Sequence, residues 1–248
     1  MIRAVIFDMG GTLLDFNPEH LPWLEWERSG LENAYGWLLG QGYAAPRDAF
    51  FSLFMDDLPE RWQRASSGSA NLLLGDVVRE TCAVCGIAPT ESEIEELIEQ
   101  YIAPLDARVT PYDDTLDTLA ALRQRGLRIG LVSNTMWPSR YHQRELDRFG
   151  VTPYLDHTVF SAEAGVWKPQ PGIYHLSLDA LGASAAEAVF VGDTPEADIA
   201  GAQRAGMRAV YKRNARPREM DVRPDATITD LAELLPLLAE WEFARETT

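Results

Sequence analysis

Six short apolar runs recur along the chain, at Ile2 to Phe7, Leu127 to Val132, Thr158 to Phe160, Ala188 to Val191, Arg208 to Tyr211 and Ala226 to Ile228. A helical or loop segment separates each from the next, and such runs predict strands. Apolar spacing predicts helices over Thr115 to Gln124, Ser139 to Phe149, Pro171 to Leu181, Glu196 to Ala205 and Asp230 to Glu240; Gly126 and Gly206 close the first and fourth. Strands alternating with helices predict a parallel sheet covered on both faces, a doubly wound α/β fold, because parallel neighbours are joined by crossovers. In that fold a ligand sits at the carboxyl ends of the strands.

One connection breaks the pattern. About a hundred residues separate the first two runs, far more than a crossover helix requires. Within residues 16 to 105, four stretches have helical periodicity, roughly Leu21 to Leu39, Arg47 to Trp62, Ala70 to Cys85 and Glu91 to Tyr101. Gly42, Pro46, Ser66-Ser67-Gly68-Ser69 and Pro89 break them. The expectation is a helical cap of residues 16–105 inserted into a core made of 1–15 and 106–248. Trp23, Trp26 and Trp37 are expected to pack inside the cap, with one able to face the cleft.

Charge narrows the partners. The chain carries 22 basic and 38 acidic residues, a net of −16, and the insertion holds 15 acidic against 5 basic ones. Such a field repels polyanions and argues against nucleic acid or an anionic membrane surface as partners, and a small anionic substrate needs a local cation. Met1 leads into the first strand without a basic segment or long apolar run, so a cytoplasmic protein is expected, as monomer or homodimer. Cys82 and Cys85 have C-x-x-C spacing, yet no further cysteine and no clustered histidine completes a zinc site. They read as small buried hydrophobes.

The ends of the strands carry the chemistry. Asp8 closes the first strand at the turn Met9-Gly10-Gly11, where small residues are expected to be required; a carboxylate there, among unpaired N–H groups, suits a nucleophile. Ser133 and Asn134 follow the second strand and offer a hydroxyl and backbone donors for an oxyanion. Lys168, before Pro169 and Pro171-Gly172, is a point charge suited to a phosphoryl group. Asp193 and Asp198, in Gly192-Asp193-Thr194-Pro195-Glu196-Ala197-Asp198, flank the turn after the fourth strand, and with Asp8 they form the hard oxygen cluster that Mg²⁺ prefers.

Taken together, Phe7-Asp8-Met9-Gly10-Gly11-Thr12-Leu13, Val132-Ser133-Asn134, Lys168-Pro169 and the Gly192 to Asp198 segment resemble the four motifs of a haloacid dehalogenase superfamily hydrolase, phosphatase type, with a Rossmann-like core and a helical cap. The resemblance runs over essentially the whole chain. It implies Asp8 as the nucleophile that takes up a phosphoryl group, with Lys168 assisting. It implies Gly11, Thr12, Ser133, Asn134 and Lys168 as its anchors. Mg²⁺ would be held by Asp8, the Gly10 carbonyl, Asp193 and Asp198, the last supporting either the metal or Lys168. The substrate would be a small phosphorylated molecule.

The chain departs from that pattern at Gly10, where the phosphatases place the aspartate that protonates the leaving group. Loss of a positioned proton donor costs about 10²–10⁴-fold, roughly 3–5 kcal/mol, so activity is expected to be low or restricted to good leaving groups. Asp15 and His20 are the candidates to replace it. Two other readings stay open. A 2-haloacid dehalogenase also lacks that aspartate, although enzymes of that type bear a Ser-Asn pair where this chain has Gly192-Asp193. A degenerate member would bind a phosphorylated ligand or partner without turnover.

Overall fold

The computed structural model describes residues 1–215 and 219–246 of the chain. The first strand, β1 (Ala4–Phe7), runs into a tight turn and the short β2 (Leu14–Asp15); five helices follow, α1 (Trp23–Gly40), α2 (Arg47–Met55), α3 (Leu58–Ser67), α4 (Leu74–Val84) and α5 (Glu91–Asp106). The chain returns through β3 (Thr110–Pro111), which pairs antiparallel with β2. Next come α6 (Thr115–Gln124), β4 (Arg128–Ser133), α7 (Ser139–Arg148), β5 (His157–Phe160), α8 (Ser161–Ala164), α9 (Pro171–Leu181) and β6 (Ala188–Gly192). A π-helical turn over Pro195–Ala200 leads to α10 (Gly201–Arg204), β7 (Arg208–Lys212), β8 (Ala226–Ile228) and α11 (Leu234–Glu246).

Six strands form one parallel sheet in the order β5-β4-β1-β6-β7-β8. The α/β expectation is met, and each of the six apolar runs is a strand. Strand β1 is buried on both faces: Ala4 and Ile6 join Ile173, Tyr174 and Phe190 in one layer, while Val5 and Phe7 join Leu119, Leu122 and Leu234 in the other. Phe7 lies level with Leu131 of β4 and Val191 of β6, so Asp8, Ser133 and Asp193 leave the sheet side by side at its carboxyl edge. The connection order reverses across β1, which puts that edge at a topological switch point.

The five helices of the insertion bury an apolar cluster of their own, completed by Met136, Trp137, Tyr141 and Trp167 from segments after β4 and β5. Helix α5 starts at a capping box between Thr90 and Glu93. Cys82 and Cys85 are free and buried, as expected. Three readings need correction. The single helix expected over Arg47 to Trp62 is two, because Pro59 lacks an N–H and is tolerated only in the first turn of a new helix, which starts at Leu58. The helix expected from Glu196 is π-helical before it becomes α10. Trp23 does not pack inside the cap: it is 43% exposed, as part of a cavity mouth.

Candidate active site

Asp8 is buried, and its backbone N–H donates to Val191 across the sheet at 2.9 Å. One carboxylate oxygen accepts from the Lys168 ammonium at 2.5 Å, the other from the Thr12 hydroxyl at 3.3 Å. The same ammonium donates to Asp198 at 2.8 Å. Asn134 places this lysine: its amide donates to the Lys168 carbonyl and accepts from the Lys168 N–H, both at 2.8 Å. Asp193 accepts from the Asn214 amide at 2.7 Å and from Thr194 Oγ1 at 3.1 Å. The π-helical turn carries Asp198 inward, where its second oxygen takes the Thr194 N–H at 2.8 Å.

Gly11 has φ of +79°, and a Cβ there would lie 2.5 Å from Asp193 Oδ2, so this position demands glycine. Gly10 does not. Its φ is not positive, and a Cβ would meet only the Phe16 ring, at 3.4 Å, so the expectation that the whole turn requires small residues holds for Gly11 alone.

Three buried carboxylates, from Asp8, Asp193 and Asp198, bring oxygens within 4.8 Å of one another. Burial pushes the Asp8 carboxyl up to about 7; Lys168 opposes this, while Asp198 and Asp193 add to it. Burial alone would lower the Lys168 pKa, but Asp198 and Asp8 outweigh it and keep the ammonium charged. Three buried carboxyl groups thus crowd around one directly bonded ammonium, which leaves the site short of positive charge. A divalent cation with a preference for oxygen ligands fits both that charge and that donor set.

The carboxylates open into two joined spaces. One, about 440 Å³, is lined by Asp8, Lys168, Asp193 and Asp198. The other, about 250 Å³, is lined by Ser133, Thr135, His142, Glu27 and a group of tryptophans. Gly10, Trp62, Asn134 and Asp193 line both. Neither Asp15 nor His20 lines either space. Asp15 accepts the Asn17 N–H at 2.9 Å within β2, and His20 is exposed at φ of +55°.

Several site residues escaped sequence reading. Glu27 is 5% exposed and accepts a hydrogen bond from the Tyr101 hydroxyl; its signal is a carboxylate on the apolar stripe of α1 shared by Gly30, Leu31, Ala34 and Leu38. His142 bonds Thr135 Oγ1 and Glu145 Oε2, both at 2.7 Å, and stacks between Trp137 and Phe160. Asn214 follows β7, one more residue past the carboxyl end of a strand.

The comparisons with known proteins agree with this geometry. Residues 2–206 match the haloacid dehalogenase-like hydrolase family. The chain is 28% identical to a phosphoserine phosphatase of Thermus thermophilus, over 94% of this chain and 98% of that one. It is 31% identical to a phosphoglycolate phosphatase of Pectobacterium atrosepticum, over 96% of this chain and 92% of that one. A 2-haloacid dehalogenase from Pseudomonas syringae superimposes with a TM-score of 0.71 at 24% identity, over 97% of this chain and 100% of that one, and shares the fold. A carboxylate-lined strand edge and a family match across most of the sequence lead to the same place: the chain belongs to the haloacid dehalogenase-like hydrolases and is an enzyme of that family.

Proposed function

We propose that the protein is a Mg²⁺-dependent phosphohydrolase acting on a small phosphorylated metabolite through an aspartyl-phosphate on Asp8. The observation that carries this reading is the convergence of Asp8, Asp193 and Asp198 on one cavity, with Lys168 bonded to both Asp8 and Asp198. Asp8, Asp193, Asp198 and the Gly10 carbonyl would hold the magnesium ion, which when bound offsets charge on the transferring phosphoryl group.

An Asp8 carboxylate oxygen attacks phosphorus, the bond from phosphorus to the leaving oxygen breaks, and that oxygen departs with the electron pair. Lys168 and the Ser133 hydroxyl hold the phosphoryl oxygens, Gly11 and Asn134 border it, and Thr12 orients Asp8. Water then attacks the aspartyl-phosphate and releases inorganic phosphate with Asp8 regenerated. With glycine at position 10, no side chain there protonates the leaving oxygen, which favours substrates whose leaving group is stable as an anion. Residues 16–105 act as the cap over a core of 1–15 and 106–248, and supply the leaving-group wall.

Dehalogenation of a 2-haloacid is less well supported, because among the described residues no lysine or arginine lines the 250 Å³ space to meet a substrate carboxylate. The test is release of phosphate from an aryl phosphate, with and without Mg²⁺, by the native enzyme and by Asp8→Asn. Mg²⁺-dependent release that disappears in the variant is expected. Release that persists in the variant puts the nucleophile elsewhere, and no release from any phosphorylated metabolite favours a binding protein.

A further inference from the structure

We propose that the aromatic half of the cavity is a subsite for an ammonium group, so that among phosphate monoesters of comparable leaving group the enzyme prefers those bearing a protonated or quaternary nitrogen and no carboxylate. The phosphoryl end rests on the phosphohydrolase reading; the ammonium subsite rests on different groups.

The first is Glu27. It lies at the cavity wall, buried, with the Tyr101 hydroxyl donating to it. Burial pushes its carboxyl up to about 7, with only the Tyr101 and Trp23 hydrogen bonds opposing. Among the described residues no cationic side chain acts on it. A buried carboxyl group ionises at a cost when no cation stands beside it, and a ligand cation would relieve that cost.

The second is what surrounds it. Trp23, Trp26, Trp62 and Trp137 line the same space. The Trp26 and Trp137 rings lie nearly parallel, 7° apart, with centroids at 6.4 Å, and Tyr101 stands edge-on to Trp137 at 6.4 Å. Trp23 and Trp62 are 43% and 39% exposed, so these indoles are open to whatever enters. The negative faces of aromatic rings around a carboxylate attract a weakly hydrated cation, and substituted ammonium groups are the ligands such walls suit best.

The third is the absence of competing charge. Among the described residues no lysine or arginine lines this space; the titratable groups that face it are Glu27 of α1, His142 of α7 and Asp193 after β6. A second carboxylate or phosphate on the leaving group would meet Glu27 with nothing to balance it. Trp62, Gly10 and Asp193 line both spaces, so a phosphoryl group among the carboxylates of the 440 Å³ space can extend a short leaving group into the aromatic half.

The test uses the full chain with Mg²⁺. Phosphocholine and phosphoethanolamine are compared with phosphoglycolate and with the uncharged isostere of phosphocholine, which bears a tert-butyl group in place of trimethylammonium. The cation is expected to give kcat/KM about tenfold above the isostere, with phosphoglycolate lowest. Glu27→Gln should bring that ratio toward one by raising KM for phosphocholine. Equal rates on cation and isostere, or a ratio that Glu27→Gln leaves intact, overturn the proposal. So does a loss of kcat that is equal on both substrates, which makes Glu27 the proton donor to the leaving group instead. Tetramethylammonium chloride separates the subsite from catalysis. Saturable change in tryptophan fluorescence of the native protein, beyond that of sodium chloride, supports the subsite even if no ester is hydrolysed; no saturable change sinks it.

Discussion

Gly10 and Glu27 define opposite features of one cavity wall, a side chain that the chemistry lacks and one that the packing does not need. Nothing in the backbone imposes glycine at position 10, since its φ is not positive and the nearest obstacle to a Cβ is the Phe16 ring, at 3.4 Å. That ring bounds the space open to a longer side chain on one side. Gly10→Asp combined with Phe16→Ala is therefore expected to raise kcat on unactivated alkyl phosphates roughly tenfold or more, and Gly10→Asp alone to gain less. Steady-state kinetics on an alkyl phosphate decide it, and no gain in the double variant removes the role assigned to that position. Glu27 predicts a pH dependence. Its folded pKa of about 7 exceeds the ordinary 4.5, so the fold favours the neutral acid. Stability is then complete below about pH 4.5, declines as pH rises toward 7 because only the unfolded chain ionises freely, and is flat above. Glu27→Gln keeps an acceptor for Tyr101 and removes this loss, roughly 3 kcal/mol at full ionisation. Melting curves should show the variant more stable than native protein near pH 8, with the difference shrinking near pH 5.

Helices α1 and α5 come close enough to hold Glu27 against Tyr101 because Gly30 has no side chain. A Cβ at Gly30 would stand 2.5 Å from the Tyr101 carbonyl oxygen, which is backbone and cannot swing aside. Gly30→Ala should cost about 1–3 kcal/mol in urea denaturation and shift the tryptophan emission, as the two helices separate at the level of the cavity. A variant with native stability and spectrum would mean that the helices have slack there. Elements of this kind were legible in part. Apolar spacing located the helices of the insertion, and Pro59 in hindsight marks the start of α3, yet no local signal distinguishes the π-helical turn over Pro195–Ala200 from an ordinary helix. Asp198 bonds to Lys168, 30 positions away, and to the Thr194 N–H, and a partner so far along the chain leaves no trace in a local pattern. Trp23 misled for a similar reason, since an indole at helical spacing reads as packing whether the surface opposite it is protein or an opening.

The chain as a whole is acidic, with a net charge of −16, and three of its buried carboxylates meet in one site where two of them share the Lys168 ammonium. Millimolar Mg²⁺ is expected to raise the melting temperature, with about 2.7 kcal/mol of stabilisation when the ion is a hundredfold above its dissociation constant, whereas K⁺ at equal ionic strength should not. Asp193→Asn should lose most of that shift; an unchanged response would place the ion elsewhere. No helix among the described residues is long and apolar enough to cross a membrane. What the amino-acid order determined by itself was the six strands of the parallel sheet, with Asp8, Ser133 and Asp193 at or just past the ends of three of them, and the motif segments that carry Lys168 and Asp198 in the connections that follow. Strand identity follows from short-range hydrophobic pattern, and a parallel sheet brings all strand ends to one edge. Only the tertiary structure decided that Asn134 holds the backbone of Lys168, that Asn214 supports Asp193, and that Glu27 of α1 faces the tryptophans of α3 and the segment after β4. Periodicity tells which face of an element is buried but not against what, and the opposing surface comes from residues tens to more than a hundred positions away.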